Sequence, residues 1–120
     1  MKGKVLLVDD EPNIRDLVAS VLQRDFQVSE AESGAALQKA FADAQPDVVV
    51  LDVKLRDANG LELLPLIKKR WADTEVIMLT GEGTMAMAME AGRLGAYTFL
   101  SKPFEKKKLL ADVKCAFDRK

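Results

Sequence analysis

Short apolar runs rich in β-branched residues alternate along this chain with segments whose apolar residues recur every three or four positions. Parallel neighbours in a sheet need a long return connection, usually a helix, so this alternation specifies a parallel sheet with helices on its faces. The run Lys4-Val5-Leu6-Leu7-Val8 is followed by Asp9-Asp10-Glu11-Pro12, and Pro12 suits the first turn of a helix, where its missing N–H costs nothing. Ile14, Leu17, Val18, Val21 and Leu22 then recur at helical spacing. Residues 27–31 form a second strand, and Ser33 caps a second helix with Ala36, Leu37, Ala40 and Phe41 inward.

The third strand, 47–51, is nearly all apolar, as a strand buried on both faces should be. A loop ending at Gly60 leads to a helix carrying Leu61, Leu64, Ile67 and Trp71, which Pro65 is expected to bend slightly. Residues 75–79 and 96–100 are the fourth and fifth strands, with a helix over 84–94 between them. The last helix starts near Phe104 and should bury Leu110, Val113 and Phe117, leaving Lys106, Lys107 and Lys108 in solvent. Five strands and five helices in strict alternation give a doubly wound (βα)5 α/β fold of the flavodoxin-like kind. The expected strand order is 2-1-3-4-5, with residues 1–120 as one domain.

Several function classes are excluded by composition. The chain has no histidine, which removes histidine bases, histidine metal ligands and a role as a histidine phosphotransfer protein. A single cysteine, Cys115, forms no internal disulfide and no cysteine zinc site, and fits a reducing, cytoplasmic setting. The 19 acidic and 18 basic residues leave a net charge of −1, which argues against direct nucleic-acid binding. No apolar run approaches the roughly 20 residues of a membrane span.

Ligands of doubly wound sheets bind beyond the carboxyl ends of the strands, beside the switch point. There the sequence places Asp9 and Asp10 after the first strand, Asp52 after the third, Thr80 after the fourth and Lys102 after the fifth. Three converging carboxylates repel unless a cation joins them, and Mg²⁺ suits such a site because it uses few carboxylates and bridges phosphate oxygens. A carboxylate beside a phosphate donor can attack phosphorus, while a hydroxyl such as Thr80 and an ammonium such as Lys102 suit phosphoryl oxygens. Gly81 leaves room and a backbone N–H beside them. Taken singly, the Asp9-Asp10 pair is as readily a solvated cap as a site, and Asp52, Thr80 and Lys102 are each more often bland; their joint placement is what carries the reading.

The motifs Val5-Leu6-Leu7-Val8-Asp9-Asp10-Glu11-Pro12, Val49-Val50-Leu51-Asp52, Met78-Leu79-Thr80-Gly81 and the segment from Gly95 to Phe104 resemble the receiver domain of two-component response regulators. The likeness covers essentially the whole chain and is greatest to receivers of nitrogen-regulator-type transcription activators. The resemblance implies that Asp52 is the phosphoacceptor and that Asp10, Asp52 and the Lys54 carbonyl hold Mg²⁺, with Asp9 acting through water. It implies that Thr80 and Lys102 grip the phosphoryl group, that the peptide before Pro103 is cis, and that Tyr97 swings inward behind Thr80. It further implies a sensor histidine kinase as donor and C-terminal effector domains in a longer parent chain. Such a domain catalyses its own phosphorylation and dephosphorylation without being a conventional enzyme. From its residue type and position alone, Tyr97 is either half-buried core or switch.

Arg56 departs from the family pattern, standing where proline is usual, and is expected to loosen the loop after Asp52. Met85, Met87 and Met89 alternate, so they cannot share one helix face; some thioethers are exposed and suit an adaptable partner surface. That helix, the fifth strand and the last helix are the expected output face and homodimer surface. By the resemblance, Lys54 and Glu82 govern water access to the aspartyl phosphate, and the two are expected to form an ion pair. The rival readings are a metal-dependent phosphatase using Asp52 transiently, and an interaction domain that has lost the chemistry. Lys54 lies where such a phosphatase needs a second acid, and the complete set of site residues opposes the interaction domain. Gly81-Glu82-Gly83 is too short a fragment to bind a nucleotide.

Overall fold

The computed structural model describes residues 2–119. Its elements are β1 (Gly3–Val8), α1 (Pro12–Leu22), β2 (Phe26–Ala31), α2 (Gly34–Asp43), β3 (Val48–Asp52), α3 (Gly60–Arg70), β4 (Glu75–Thr80), α4 (Met85–Arg93), β5 (Thr98–Ser101) and α5 (Lys106–Arg119). All strand pairs are parallel, in the order β2-β1-β3-β4-β5. The sheet topology is that expected from the alternation of the sequence.

Two apolar layers hold the sheet. On one face Leu6, Val8, Val49, Leu51, Val76 and Met78 meet Leu37 and Phe41 of α2, Leu64 and Ile67 of α3, and Ala91 of α4. On the other, Val5, Leu7, Val48, Val50, Ile77 and Leu79 meet Val18 and Leu22 of α1 and Leu109, Val113 and Ala116 of α5. Alternate residues of each central strand thus serve opposite layers, which is why these strands are apolar throughout.

Local chemistry sets the helix ends. Ser33 and Thr84 cap α2 and α4, accepting hydrogen bonds from the Ala36 and Met87 N–H groups at 3.1 Å each. The α4 helix ends in a Schellman turn: Gly95, at φ 104°, occupies the left-handed position, while Ala96 N–H donates to Ala91 O at 2.9 Å. The α3 helix continues from Gly60 to Arg70 through Pro65.

Three boundaries differ from expectation in ways that matter. The β5 strand begins at Thr98, with a bend at Tyr97, because the Schellman turn uses Ala96. The α5 helix begins at Lys106, and its phase buries Leu109 while Leu110 and Phe117 are only half-buried. Finally, β3 extends to Asp52, so the acidic residue is the last of the strand rather than the first of the loop.

Gly60 is the tightest backbone approach near that strand end. A Cβ there would lie 2.2 Å from the Asp52 carbonyl oxygen and 3.0 Å from Val53 Cα, both backbone atoms. By contrast, a Cβ at Gly92 in α4 meets nothing within 4 Å. Gly60→Ala is therefore expected to destabilise the protein by about 2–3 kcal/mol through forced backbone displacement. Gly92→Ala should stabilise it by roughly 0.5–1 kcal/mol through helix propensity. Urea denaturation of both variants checks the pair, and equal midpoints would refute the close approach at Gly60.

Candidate functional site

The candidate site lies at the carboxyl ends of β1, β3, β4 and β5. Asp52 and Thr80 end β3 and β4, and Asp9 and Lys102 directly follow β1 and β5. The backbone fixes these ends to one another. Asp9 N–H donates to Ala31 O at 3.1 Å, Val53 N–H to Leu79 O at 3.1 Å, and Lys102 N–H to Thr80 O at 2.7 Å. The Lys102–Pro103 peptide is cis, as the resemblance implied.

Asp9, Asp52 and Thr80 are 3%, 4% and 1% exposed, so the functional groups of three strands are withdrawn from bulk water. Lys102 Nζ reaches Asp9 Oδ2 at 2.9 Å and Asp52 Oδ2 at 3.3 Å, and a third carboxylate, Glu11 Oε1, at 3.2 Å. The other oxygens are also engaged: Asp9 Oδ1 accepts the Glu11 N–H at 2.9 Å and Asp52 Oδ1 the Lys54 N–H at 3.2 Å. Thr80 Oγ1 accepts the Glu82 N–H at 3.2 Å. Arg15 donates to the Asp9 carbonyl oxygen at 2.6 Å and holds Glu30 of β2 at 3.1 Å.

Charge is the dominant property of the site. Asp9, Asp10, Glu11 and Asp52 offer carboxylate oxygens that all lie within 4.8 Å of one another, against the single ammonium of Lys102. Burial, followed by the charge of Asp9, pushes the Asp52 carboxyl up from 3.8 to about 6; Lys102 and the Lys54 N–H offset this only in part. For Lys102, burial pulls the ammonium down. That is outweighed by the hydrogen bond to Asp9, the charges of Asp52 and Asp9, and the hydrogen bond to Glu11, so its pKa is raised. An all-oxygen, anion-rich donor set suits a hard divalent cation, and the repulsion registered at Asp52 is what such a cation relieves.

The expected residues do not all converge. Asp9, Asp10, Asp52, Thr80 and Lys102 come together, and Lys54 pairs with Glu82 at 2.7 Å above them, both side chains about two-thirds exposed at 65% and 67%. Tyr97 does not join them. Its N–H bonds Val76 O at 2.7 Å, four residues before Thr80, a separation of about 13 Å along a strand. The bend before β5 turns its ring toward the α1/α5 layer, where Arg119 stands 5.6 Å from the ring centroid. The aromatic near Thr80 is Phe99, paired with Met78. A Cβ at Gly83 would lie 2.5 Å from Ser101 Oγ, 3.0 Å from the Phe99 ring and 3.4 Å from the Thr80 methyl, so Gly83 lets the β4–α4 loop lie close to all three side chains. The expectation for Tyr97 came from the resemblance; β5 begins only at Thr98, which puts Phe99 rather than Tyr97 opposite Met78. Glu11 and Arg15 were also missed, although Glu11 directly follows the acidic pair.

Comparison with known proteins agrees with this geometry. The response regulator receiver domain family matches residues 5–114. The DNA-binding transcriptional regulator NtrC of Azospirillum brasilense is 34% identical over 115 residues, covering 95% of this chain and 24% of the relative. The C4-dicarboxylate transport transcriptional regulatory protein DctD of Pseudomonas aeruginosa is 36% identical over 116 residues, covering 96% and 25%. The chain thus spans about a quarter of the length of these relatives. Among solved structures, NtrX from Brucella abortus in complex with ADP superposes with a TM-score of 0.92 at 36% identity, over 99% of this chain and 28% of that one. The beryllofluoride-activated NtrC4 receiver domain dimer superposes with a TM-score of 0.92 at 33% identity, over 97% of each chain.

The raised pKa of Asp52 carries a stability signature. Its folded value exceeds its unfolded one, so the protonated carboxyl favours folding below about pH 4, and that contribution is lost as pH rises through about 6. Without divalent cations, Asp52→Asn is therefore expected to stabilise the protein at pH 7.5 by about 1–3 kcal/mol, with the gain shrinking toward pH 4. Urea denaturation in chelator at both pH values checks this, and a gain independent of pH would refute the assignment.

Proposed function

We propose that this chain, which belongs to the response regulator receiver domain family, is a phosphorylation-dependent signalling switch whose phosphoacceptor is Asp52. The observation that carries the proposal is the convergence of Asp9, Asp52 and Lys102 within one hydrogen-bonded cluster at the carboxyl edge of the sheet, beside the Thr80 hydroxyl. Asp9, Asp10, Asp52 and the Lys54 carbonyl are the groups that would hold Mg²⁺. When bound, the ion supplies positive charge to the carboxylates and to the oxygens of the incoming phosphoryl group.

Asp52 Oδ attacks phosphorus of a sensor kinase's phosphohistidine or of a small acyl phosphate. The new O–P bond forms as the bond from phosphorus to the donor breaks, and the donor leaves with that electron pair. Lys102 gives up its contact with the Asp52 oxygen and follows the negative charge onto the phosphoryl group. Thr80 releases the Glu82 N–H and turns its hydroxyl to donate to a phosphoryl oxygen. That rotation vacates space behind β4, and Phe99, which like the Thr80 methyl and Ser101 lies close to Gly83, is the aromatic placed to fill it. Tyr97 has no part in this movement.

The output face is α4, β5 and α5. Met85 and Met89 of α4 are 77% and 69% exposed, while Met87 packs inward, giving an adaptable apolar surface on the helix that follows the Thr80 loop. The activated NtrC4 receiver neighbour is a dimer, which supports homodimerisation of this chain, and the exposed α4 thioethers are the reason to place the contact on this face. The NtrC and DctD relatives are transcriptional regulators about four times as long as the matched region and support C-terminal effector domains in a longer parent, with a transcriptional output in the cytoplasm. No helix among the described residues is long and apolar enough to cross a membrane.

Incubation with Mg²⁺ and acetyl phosphate is expected to add one phosphoryl group by intact-mass spectrometry, and none in Asp52→Asn or in chelator. No adduct on the folded wild type would favour a phosphate-independent interaction domain. The Lys54–Glu82 pair joins the segments two residues beyond Asp52 and Thr80, so replacing both with alanine should speed loss of the phosphoryl group several-fold by admitting water. The effect stays modest because exposed pairs are weak. An unchanged dephosphorylation rate would remove that shielding role.

A further inference from the structure

The loop between β3 and α3 carries Lys54 and was expected to be loose because Arg56 replaces proline. It is instead folded and clamped. Within it, Leu55 N–H donates to Ala58 O at 3.1 Å, Gly60 N–H donates to Val53 O at 2.6 Å, and Lys54 and Asn59 form an antiparallel bridge. Leu55 and Val53 are buried in the α2/α3 layer.

The clamp is made by Asp57. The first N–H groups of a helix have no partners within it. In α2 the Ala36 N–H is taken by Ser33, whereas those of Gly34 and Ala35 donate to the two oxygens of Asp57, at 2.8 and 3.2 Å. These two hydrogen bonds lower the Asp57 pKa, keeping it an anion against the positive end of the helix. Gly34 makes the seat: a Cβ there would lie 3.2 Å from the Ala58 Cβ and 3.4 Å from Asp57 Oδ1. Arg56 adds an exposed ion pair to Glu32 at 3.0 Å, of the kind that contributes little alone.

We propose that Asp57 is a positioning residue for the acceptor loop: by tying residues 53–59 to the start of α2, it sets the place of the Lys54 carbonyl and of Asp52, and thereby the Mg²⁺ affinity of the site. The proposal rests on the reading of Asp52 and Lys54 as Mg²⁺ ligands given above. Ser33 supplies an internal control, because it caps the same helix end through the Ala36 N–H rather than through a bond to the loop.

The test is Mg²⁺ titration by calorimetry together with amide hydrogen exchange of the metal-free protein, for wild type, Asp57→Ala, Asp57→Asn and Ser33→Ala. Asp57→Ala should weaken Mg²⁺ binding roughly 3- to 10-fold, at or below the usual range for loss of a group that orients metal ligands. It should also speed exchange at Gly34 and Ala35 and, as the mark of positioning, at Lys54 and Gly60. Asp57→Asn, which keeps the shape and one acceptor oxygen, should fall between and serves if the alanine variant fails to fold. Ser33→Ala should speed exchange at Ala36 while leaving Lys54, Gly60 and the Mg²⁺ affinity as in wild type. Wild-type Mg²⁺ affinity in both Asp57 variants, or equal losses in Ser33→Ala, would overturn the proposal and leave the proposed function standing. Wild type that takes up no Mg²⁺, or Asp52→Asn that binds it equally, would overturn both.

Discussion

Lys102 Nζ stands within 3.3 Å of three carboxylates from two different strand ends, and the rest of the site is arranged around that one cation. Its side chain is 13% exposed and those of Asp9 and Asp52 are each 5% exposed, so these two pairs are screened only weakly by water, whereas Glu11 faces solvent. Breaking a buried ion pair by removing one partner typically costs about 3–5 kcal/mol, because the remaining charge is left uncompensated. Here the compensation is incomplete even with Lys102 in place, and Asp52 remains near pKa 6. A site in that condition is poised to accept further positive charge. It is also poised to let its ammonium follow any new negative charge delivered to Asp52.

The fold is what makes that imbalance sustainable. Central strands packed on both faces are stiff, and the backbone bonds joining Asp9 to β2, Val53 to β4 and Lys102 to Thr80 involve the ends of all five strands. Carboxylates on flexible loops would relax apart; on adjacent parallel strands they are held together by the hydrophobic layers. Arg15 and Asp57 extend the same principle outward. Arg15 holds the Asp9 carbonyl, and Asp57 ties the acceptor loop to α2, so backbone on both sides of the acidic cluster is anchored to neighbouring elements.

Periodicity made the strands and helices legible because each central strand meets apolar layers on both faces and each helix on one. It also placed Asp9, Asp52, Thr80 and Lys102 at one edge, since parallel strands put every such terminus on the same side. What it missed were features that depend on phase or on distant partners. Leu109 rather than Leu110 faces the core because α5 starts two residues after Phe104. Tyr97 lies away from Thr80 because the Schellman turn uses Ala96 and β5 begins only at Thr98. Asp57 gave no signal, as an aspartate in a polar loop looks like a turn residue until the α2 N–H groups, over twenty residues away in the chain, are seen to need it. The Lys54–Glu82 pair could be foreseen because each residue lies two positions beyond a strand end at the same edge.

The path from charge to surface runs through the short segment between β4 and α4. Thr80 ends the strand with its hydroxyl engaged by the Glu82 N–H, Glu82 is paired to Lys54, and Gly83 lies close to Ser101, Phe99 and the Thr80 methyl. Any movement of the Thr80 hydroxyl toward Asp52 frees the first of these contacts and changes the space available to the third. The second ties the same segment back to the acceptor loop. Thr84, the next residue, caps α4, the helix that exposes Met85 and Met89. Four consecutive residues after β4 therefore link the most charged part of the molecule to its most exposed apolar helix. Because Gly83 leaves so little room beside Thr80, Phe99 and Ser101, this segment is where a change at the strand end meets the start of α4.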